Sequence, residues 1–164
     1  MRTPFLNKEP LIITQGWMEN KKTYPSTRGH SGLDFRAPTG RKLCVCAPDV
    51  MLHFPDYKNW LGKWNAYGAA IALDWGQADG FIRFLYGHCQ NRRKELKGKH
   101  APEGKLVGET DNTGFSSAPH LHFEMRRFYG NRMKGKYYDL KIGANYDLIN
   151  PETEFFKKYK IKYT

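Results

Sequence analysis

A chain of 164 residues, 40% hydrophobic and 15% aromatic, is long enough for a single domain, residues 1–164, that buries about 70% of the surface its unfolded form exposes. Lys and Arg outnumber Asp and Glu 27 to 16, for a net charge of +11, which favours anionic partners such as wall or membrane polymers. No apolar run is long enough to span a membrane, and 16 glycines and 9 prolines suit short strands and loops better than a helical bundle, so a mainly β (β-rich α+β) fold is expected.

In chain order, Leu11-Ile12-Ile13-Thr14 reads as a strand entering a turn at Gln15-Gly16, and a polar loop follows. His30-Ser31-Gly32-Leu33-Asp34-Phe35 is expected to be extended, with a turn at Pro38-Thr39-Gly40. Leu43–Ala47 and Val50–Phe54 look like a hairpin around Pro48-Asp49. The stretch from Pro55 to Gly68, with Trp60, Trp64 and Tyr67, has no clean period and is expected to be a long loop, an element that often binds ligands. Ala69–Trp75 and Phe81–Tyr86 flank a Gly-Gln-Ala-Asp-Gly turn, a strong hairpin signal that delivers His88 just past the second strand. A short helical turn is expected around Arg92 to Leu96. Pro119-His120-Leu121-His122-Phe123-Glu124 reads as a strand with His120 and His122 on one face and Leu121 and Phe123 on the other. Beyond it the chain turns basic and tyrosine-rich, and Asn150-Pro151 marks a helix start.

Cys44, Cys46 and Cys89 are odd in number and fit no zinc-ribbon or redox spacing, so they are expected to be reduced, packed thiols of a protein made in a reducing cytoplasm. Residues 1–8 lack the apolar stretch of a signal peptide, so synthesis without a leader is expected.

Four of the six histidines, together with one aspartate, fall beside glycines or at strand ends: His30, Asp34, His88, His120 and His122. Zn2+ takes neutral imidazoles and carboxylates, and a catalytic site keeps a fourth position for water. His30, Asp34 and one histidine of the pair would supply three ligands. The remaining imidazoles would then orient water as a base and steady an oxyanion.

His30-Ser-Gly-Leu-Asp34-Phe, Ala37-Pro38-Thr39-Gly40, Tyr86-Gly87-His88 and Thr113-Gly114-Phe-Ser116-Ser-Ala-Pro119-His120-Leu-His122-Phe-Glu124 together resemble the lysostaphin/LytM-type zinc endopeptidases, peptidase family M23. The resemblance covers a core of about residues 11–127 and leaves 128–164 as a basic, tyrosine-rich extension. It implies an antiparallel sheet with a loop-walled groove, of the duplicated-hybrid-motif type. It implies one Zn2+ held by His30, Asp34 and His122, with His88 and His120 as unligated catalytic histidines: His120 the base, His88 the oxyanion partner, the two able to exchange roles. It also implies cleavage of peptide bonds in the stem or cross-bridge of bacterial peptidoglycan. A non-catalytic module of the same fold is the alternative. A nucleic-acid-acting zinc protein is supported by no helix-turn-helix, RNP or zinc-finger spacing, and no nucleic-acid partner is expected. A wall-cutting site without a signal peptide suggests a phage lysin released by a holin, or a virion-associated enzyme, monomeric unless built into a virion.

Several further residues have two readings. Glu124 continues the face of the two histidines and would either hydrogen-bond a ligand imidazole or pair with an arginine. Tyr86 would donate to the oxyanion or simply end a strand. Trp60, Trp64 and Tyr67 would line the groove or anchor their loop. His53 is expected to be structural and His100 solvated.

Overall fold

The apolar alternation Leu121, Phe123, Met125 marks a strand with one face in the core, and this strand becomes the middle of the molecule. The computed structural model describes residues 1–7, 10–24, 26–58, 61–139 and 143–163, the side chains of Trp64, Asn65 and Tyr138 excepted. Among the described residues fourteen strands follow one another: β1 (Ile13–Gln15), β2 (Gly32–Arg36), β3 (Lys42–Cys44), β4 (Val50–His53), β5 (Asp56–Lys58), β6 (Trp64–Ala69), β7 (Ile71–Gln77), β8 (Gly80–Gly87), β9 (Cys89–Gln90), β10 (His100–Ala101), β11 (Leu106–Thr110), β12 (His120–Tyr129), β13 (Tyr137–Asp139) and β14 (Ala144–Ile149). A 3₁₀ turn at Lys94–Leu96 and a short wide-turned helix at Glu152–Lys157 complete the elements.

The main sheet has nine strands in the order β1-β2-β12-β8-β7-β4-β10, with β14 paired to β12 and β13 to β14. Strand β12 serves three partners. Along one edge β2 takes His120 to Glu124 and β14 takes Met125 to Phe128, while β8 runs along the other from His122 to Tyr129, all antiparallel. A three-stranded sheet β3-β11-β9 and the hairpin β5-β6 stand apart from it.

On the inward face of β12, Phe123 is fully buried and sits among Phe35, Phe84, Tyr86, Phe155 and Phe156, with ring centroids between 5.4 and 6.5 Å. Such rings supply both buried area and edge-to-face geometry, and they make a stiff floor beneath the outward face. Two of them come from the C-terminal helix, whose start is capped where Asn150 Oδ1 accepts the Glu152 N–H at 2.9 Å. Residues 128–164, set apart in the sequence as an extension, thus supply two strands of the main sheet and the core phenylalanines Phe128, Phe155 and Phe156.

Two expected elements differ. Leu43–Ala47 and Val50–Phe54 do not pair with each other: β3 joins β11, whereas β4 joins β7 and β10. A local turn signal marks where the chain bends and cannot tell a hairpin from a crossover between sheets. The expected loop from Pro55 to Gly68 contains the hairpin β5-β6, whose pairing shifts register between Asp56 and Lys58. Its positive φ angles, 23° at Ala66 and 60° at Gly68, break the alternation that signals a strand. The β7-β8 hairpin forms as expected, Gln77 opposite Gly80.

Phe155 has ring contacts with Phe84, Phe123 and Phe156. Phe155→Ala should therefore lower unfolding free energy by roughly 3–5 kcal/mol, measured by urea denaturation followed by tryptophan fluorescence.

Candidate functional site

The outward face of β12 carries His120, His122, Glu124 and Arg126 in alternation. Antiparallel register sets His122 opposite Asp34 of β2 and opposite Gly87 of β8. The two neighbouring glycines make room for the imidazole. A Cβ on Gly32 would stand 2.4 Å from the Phe123 carbonyl oxygen and 3.0 Å from His122 Cε1, and one on Gly87 would stand 3.1 Å from His122 Cβ.

His30, just before β2, completes a triangle with Asp34 and His122. His30 Nε2 lies 3.0 Å from His122 Nδ1 and 3.1 Å from Asp34 Oδ1, and His122 Nδ1 lies 3.0 Å from Asp34 Oδ1. All three residues are buried. The far nitrogens fix the tautomers. His30 Nδ1 donates to the Gly16 carbonyl at 3.1 Å, an oxygen that can only accept, and His122 Nε2 donates to the Glu124 carboxylate at 3.2 Å. Three lone-pair atoms thereby converge, and at such distances they repel unless positive charge stands among them. Burial disfavours a proton on His122, but the hydrogen bonds to Asp34 and Glu124 outweigh it and push the imidazole up to about 9. Burial likewise opposes charge on Asp34, yet the His122 hydrogen bond holds that carboxyl well below the usual range. Two imidazole nitrogens, each oriented from behind, and one carboxylate oxygen fit a divalent transition metal with a further position left for solvent or substrate.

Glu124 is fully buried and fully satisfied. It accepts from Ser31, from Tyr67 at 2.7 Å, from His122 and from Arg126, and Arg126 in turn reaches Asp139 at 2.6 Å. Burial alone would raise this carboxyl, but the Arg126 charge and His122 lower it to about 2. Glu124 meets an imidazole and an arginine at once: one oxygen serves His122 and the other the guanidinium of Arg126.

His88 and His120 stand beside the triangle with ring centroids 4.5 Å apart. His88 Nδ1 donates to the Thr113 carbonyl at 2.6 Å and His120 Nδ1 to the Ala118 carbonyl at 2.8 Å, so both Nε2 lone pairs are free. His120 Nε2 lies 3.5 Å from Asp34 Oδ1. Burial, with the charge on His122, depresses the His88 imidazole to about 4.

A cavity of about 470 Å³ opens over these five residues, lined also by Tyr24, Thr27, Ala66, Tyr67 and residues 114–117. Tyr67 lines it, as one reading of the sequence has it, and also donates to Glu124. Tyr86 does not reach it: opposite Phe123 in the register, it points into the core, where its hydroxyl donates to the Cys44 carbonyl at 3.0 Å. An oxyanion role for Tyr86 is thereby excluded. Trp60 lies outside the described residues, as does the side chain of Trp64. His53 pairs with Asp74 at 3.1 Å, and the exposed His100 with Asp49 at 3.0 Å. All three cysteines are free and buried.

Ser31 and Thr113 stand inside the motifs without a role assigned to them from sequence, and Tyr24 stands outside them. Ser31 carried a signal, standing inside the histidine motif. Tyr24, with its ring centroid 5.4 Å from that of His30, sits in a loop with no periodicity to expose it.

The model of peptidase family M23 matches residues 28–139. The DD-carboxypeptidase/endopeptidase Mpg of Neisseria meningitidis is 29% identical over 125 residues, 73% of this chain and 26% of its own length. Lysostaphin of Staphylococcus simulans is 33% identical over 95 residues, 58% of this chain and 17% of its own. The chain thus spans about a quarter or less of these curated relatives. Among solved structures, the catalytic domain of EnpA, a prophage-encoded M23 protein from Enterococcus faecalis, superposes with a TM-score of 0.61 at 21% identity, covering 91% of this chain and 95% of that one. That likeness is one of fold. With the family model spanning most of its length and the motif residues gathered in one cleft, the chain belongs to peptidase family M23.

Proposed function

We propose that this chain is a zinc endopeptidase that hydrolyses peptide bonds in the stem or cross-bridge of bacterial peptidoglycan. One observation carries the reading: His30 Nε2, Asp34 Oδ1 and His122 Nδ1 meet at 3.0–3.1 Å, while the far nitrogen of each imidazole is hydrogen-bonded to an acceptor behind it. The peptidase relatives support it, among them lysostaphin and the glycyl-glycine endopeptidase ALE-1 of Staphylococcus capitis. So does the structural likeness to a zinc-containing peptidase from Vibrio cholerae, with a TM-score of 0.53.

When bound, Zn2+ would polarise the scissile carbonyl and acidify water. The chain's own residues do the rest. The cleft, lined by Tyr24 and Tyr67, takes an extended peptide. His120, with Nε2 free and facing the ligand triangle, accepts the proton of the attacking water. His88 stands beside it with a second free Nε2. Whichever imidazole has taken the proton becomes an N–H donor, so the pair can both accept a proton and steady an oxyanion. Glu124 holds His122 in its ligating tautomer throughout. With peptidoglycan as substrate, the place of action is the cell wall, and the net charge of +11 favours approach to anionic envelopes.

Muropeptides released from purified walls of two chemotypes, read by mass spectrometry, test the activity and identify the bond. His122→Ala should lose zinc and hydrolysis together, whereas His120→Ala should keep stoichiometric zinc and lose turnover by roughly 10²-fold or more. Full activity in zinc-loaded His120→Ala would refute its assignment. Glu124→Gln should weaken zinc binding about 10–100-fold, measured by chelator competition.

The metal also competes with the His122 proton. That group is raised to about 9, so in metal-free protein its stabilising contribution is complete below its ordinary value near 6.5 and fades as pH rises through about 9. Apparent zinc affinity should accordingly climb about tenfold per pH unit up to about 9 and flatten above it. A chelator titration at constant ionic strength measures the slope.

A further inference from the structure

The backbone N–H and carbonyl of His88 and its Nδ1 are each held, by Tyr67, by Asp111 and by Thr113, the residue that opens the motif of the histidine pair. Its N–H donates to the Tyr67 carbonyl at 2.8 Å, its carbonyl accepts from Asp111 N–H at 2.8 Å, and its Nδ1 donates to the Thr113 carbonyl at 2.6 Å. The residue itself sits in the left-handed region at φ 59°, a conformation that a histidine keeps only when its surroundings insist on it. Those surroundings are the β5-β6 hairpin and the loop after β11, and the two are clasped together. Gly68 and Gly114 touch backbone to backbone: a Cβ on Gly68 would stand 2.4 Å from the Thr113 carbonyl carbon, and one on Gly114 would stand 2.4 Å from Gly68 N. Phe115 N–H donates to the Ala66 carbonyl at 3.0 Å across the same seam. The Thr113 hydroxyl closes it, accepting from Ala69 N–H at 3.1 Å and donating to the Cys89 carbonyl at 3.3 Å.

We propose that Thr113 is a positioning residue for His88: its side chain pins the loop to the hairpin and to β9, and its carbonyl, held there, keeps the His88 proton on Nδ1 and the lone pair on Nε2 facing the cleft. Without that carbonyl in place, the imidazole has no reason to prefer the reactive tautomer. The same loop continues to Ser116 and Ala118, which meet His120 Nδ1 at 3.1 and 2.8 Å. One clasped loop therefore sets the tautomer of both unligated histidines. The β5-β6 hairpin, whose described residues make no hydrogen bond to a nitrogen of either imidazole, acts on catalysis through it. The consequence for catalysis rests on the peptidase reading above; the tautomer claim does not.

The test separates the two. Long-range ¹H–¹⁵N correlation on the zinc-loaded full chain reports which His88 nitrogen carries the proton, and Nδ1–H is expected; an Nε2–H tautomer in the wild-type chain overturns the proposal whether or not the chain cuts peptidoglycan. Thr113→Val keeps the shape and the carbonyl but removes the hydroxyl. It should mix the His88 tautomers and lower kcat roughly 10²-fold, with KM within about twofold and zinc still stoichiometric. Thr113→Ser should restore both the tautomer and kcat to within about threefold of wild type. Wild-type kcat and an unchanged His88 spectrum in Thr113→Val would overturn the proposal, and so would a Ser variant that behaves like Val. If walls are not cut by the wild-type chain while His88 shows the Nδ1–H tautomer and Thr113→Val disturbs it, the positioning stands and the peptidase reading falls.

Discussion

The imidazole of His122 is gripped at both nitrogens, by Asp34 on one side and Glu124 on the other, and the site depends on that grip. It requires β2 and β12 in a register with Asp34 directly across from His122. A slip of one residue would turn the histidines into the core and the phenylalanines outward. The aromatic packing around Phe123 makes such a slip costly, so the core on one face of β12 enforces the chemistry on the other. Gly32 and Gly87 belong to the same arrangement, leaving the width that the imidazole needs between two neighbouring strands.

Behind the triangle of His30, Asp34 and His122, charge is buried in an unbroken line through Glu124, Arg126 and Asp139. Removing such groups from water is expensive unless each finds its partners, and here Ser31, Tyr67 and His122 take up the capacity of Glu124 that Arg126 leaves. The guanidinium of Arg126 also lies 4.6 Å from the ring centroid of Tyr146 in β14, a cation–π contact. Through these residues the C-terminal strands brace Glu124 and, through it, His122, so that residues 128–164 support the site.

His88 and His120 have a different kind of support. Where His122 is fixed by side chains on its own sheet, His88 and His120 take their tautomers from loop carbonyls. Carbonyl oxygens accept and never donate, so they leave no ambiguity about which nitrogen is free. The arrangement couples both imidazoles to the loop of residues 113–118 and, through the glycine seam, to the β5-β6 hairpin.

Strand alternation was legible in the chain itself: it put His120, His122 and Glu124 on one face and Leu121 and Phe123 on the other, and it marked the β7-β8 hairpin that carries His88. These are local properties with a period of two, and they survive without knowledge of partners. His30, Asp34 and one histidine of the His120/His122 pair were likewise readable as a donor set of the right chemistry, the choice of His122 resting on the family resemblance. Only the tertiary structure decided which nitrogen of each imidazole faces the triangle, because a tautomer is chosen by what lies across from it: Gly16, Glu124, Thr113 and Ala118. It also decided that Tyr86 belongs to the core and Tyr67 to the cleft, since that depends on registry with β12 and on a bulged hairpin. And it decided that β3 and β4 part company, because the same proline turn that closes a hairpin also carries a chain from one sheet to the next.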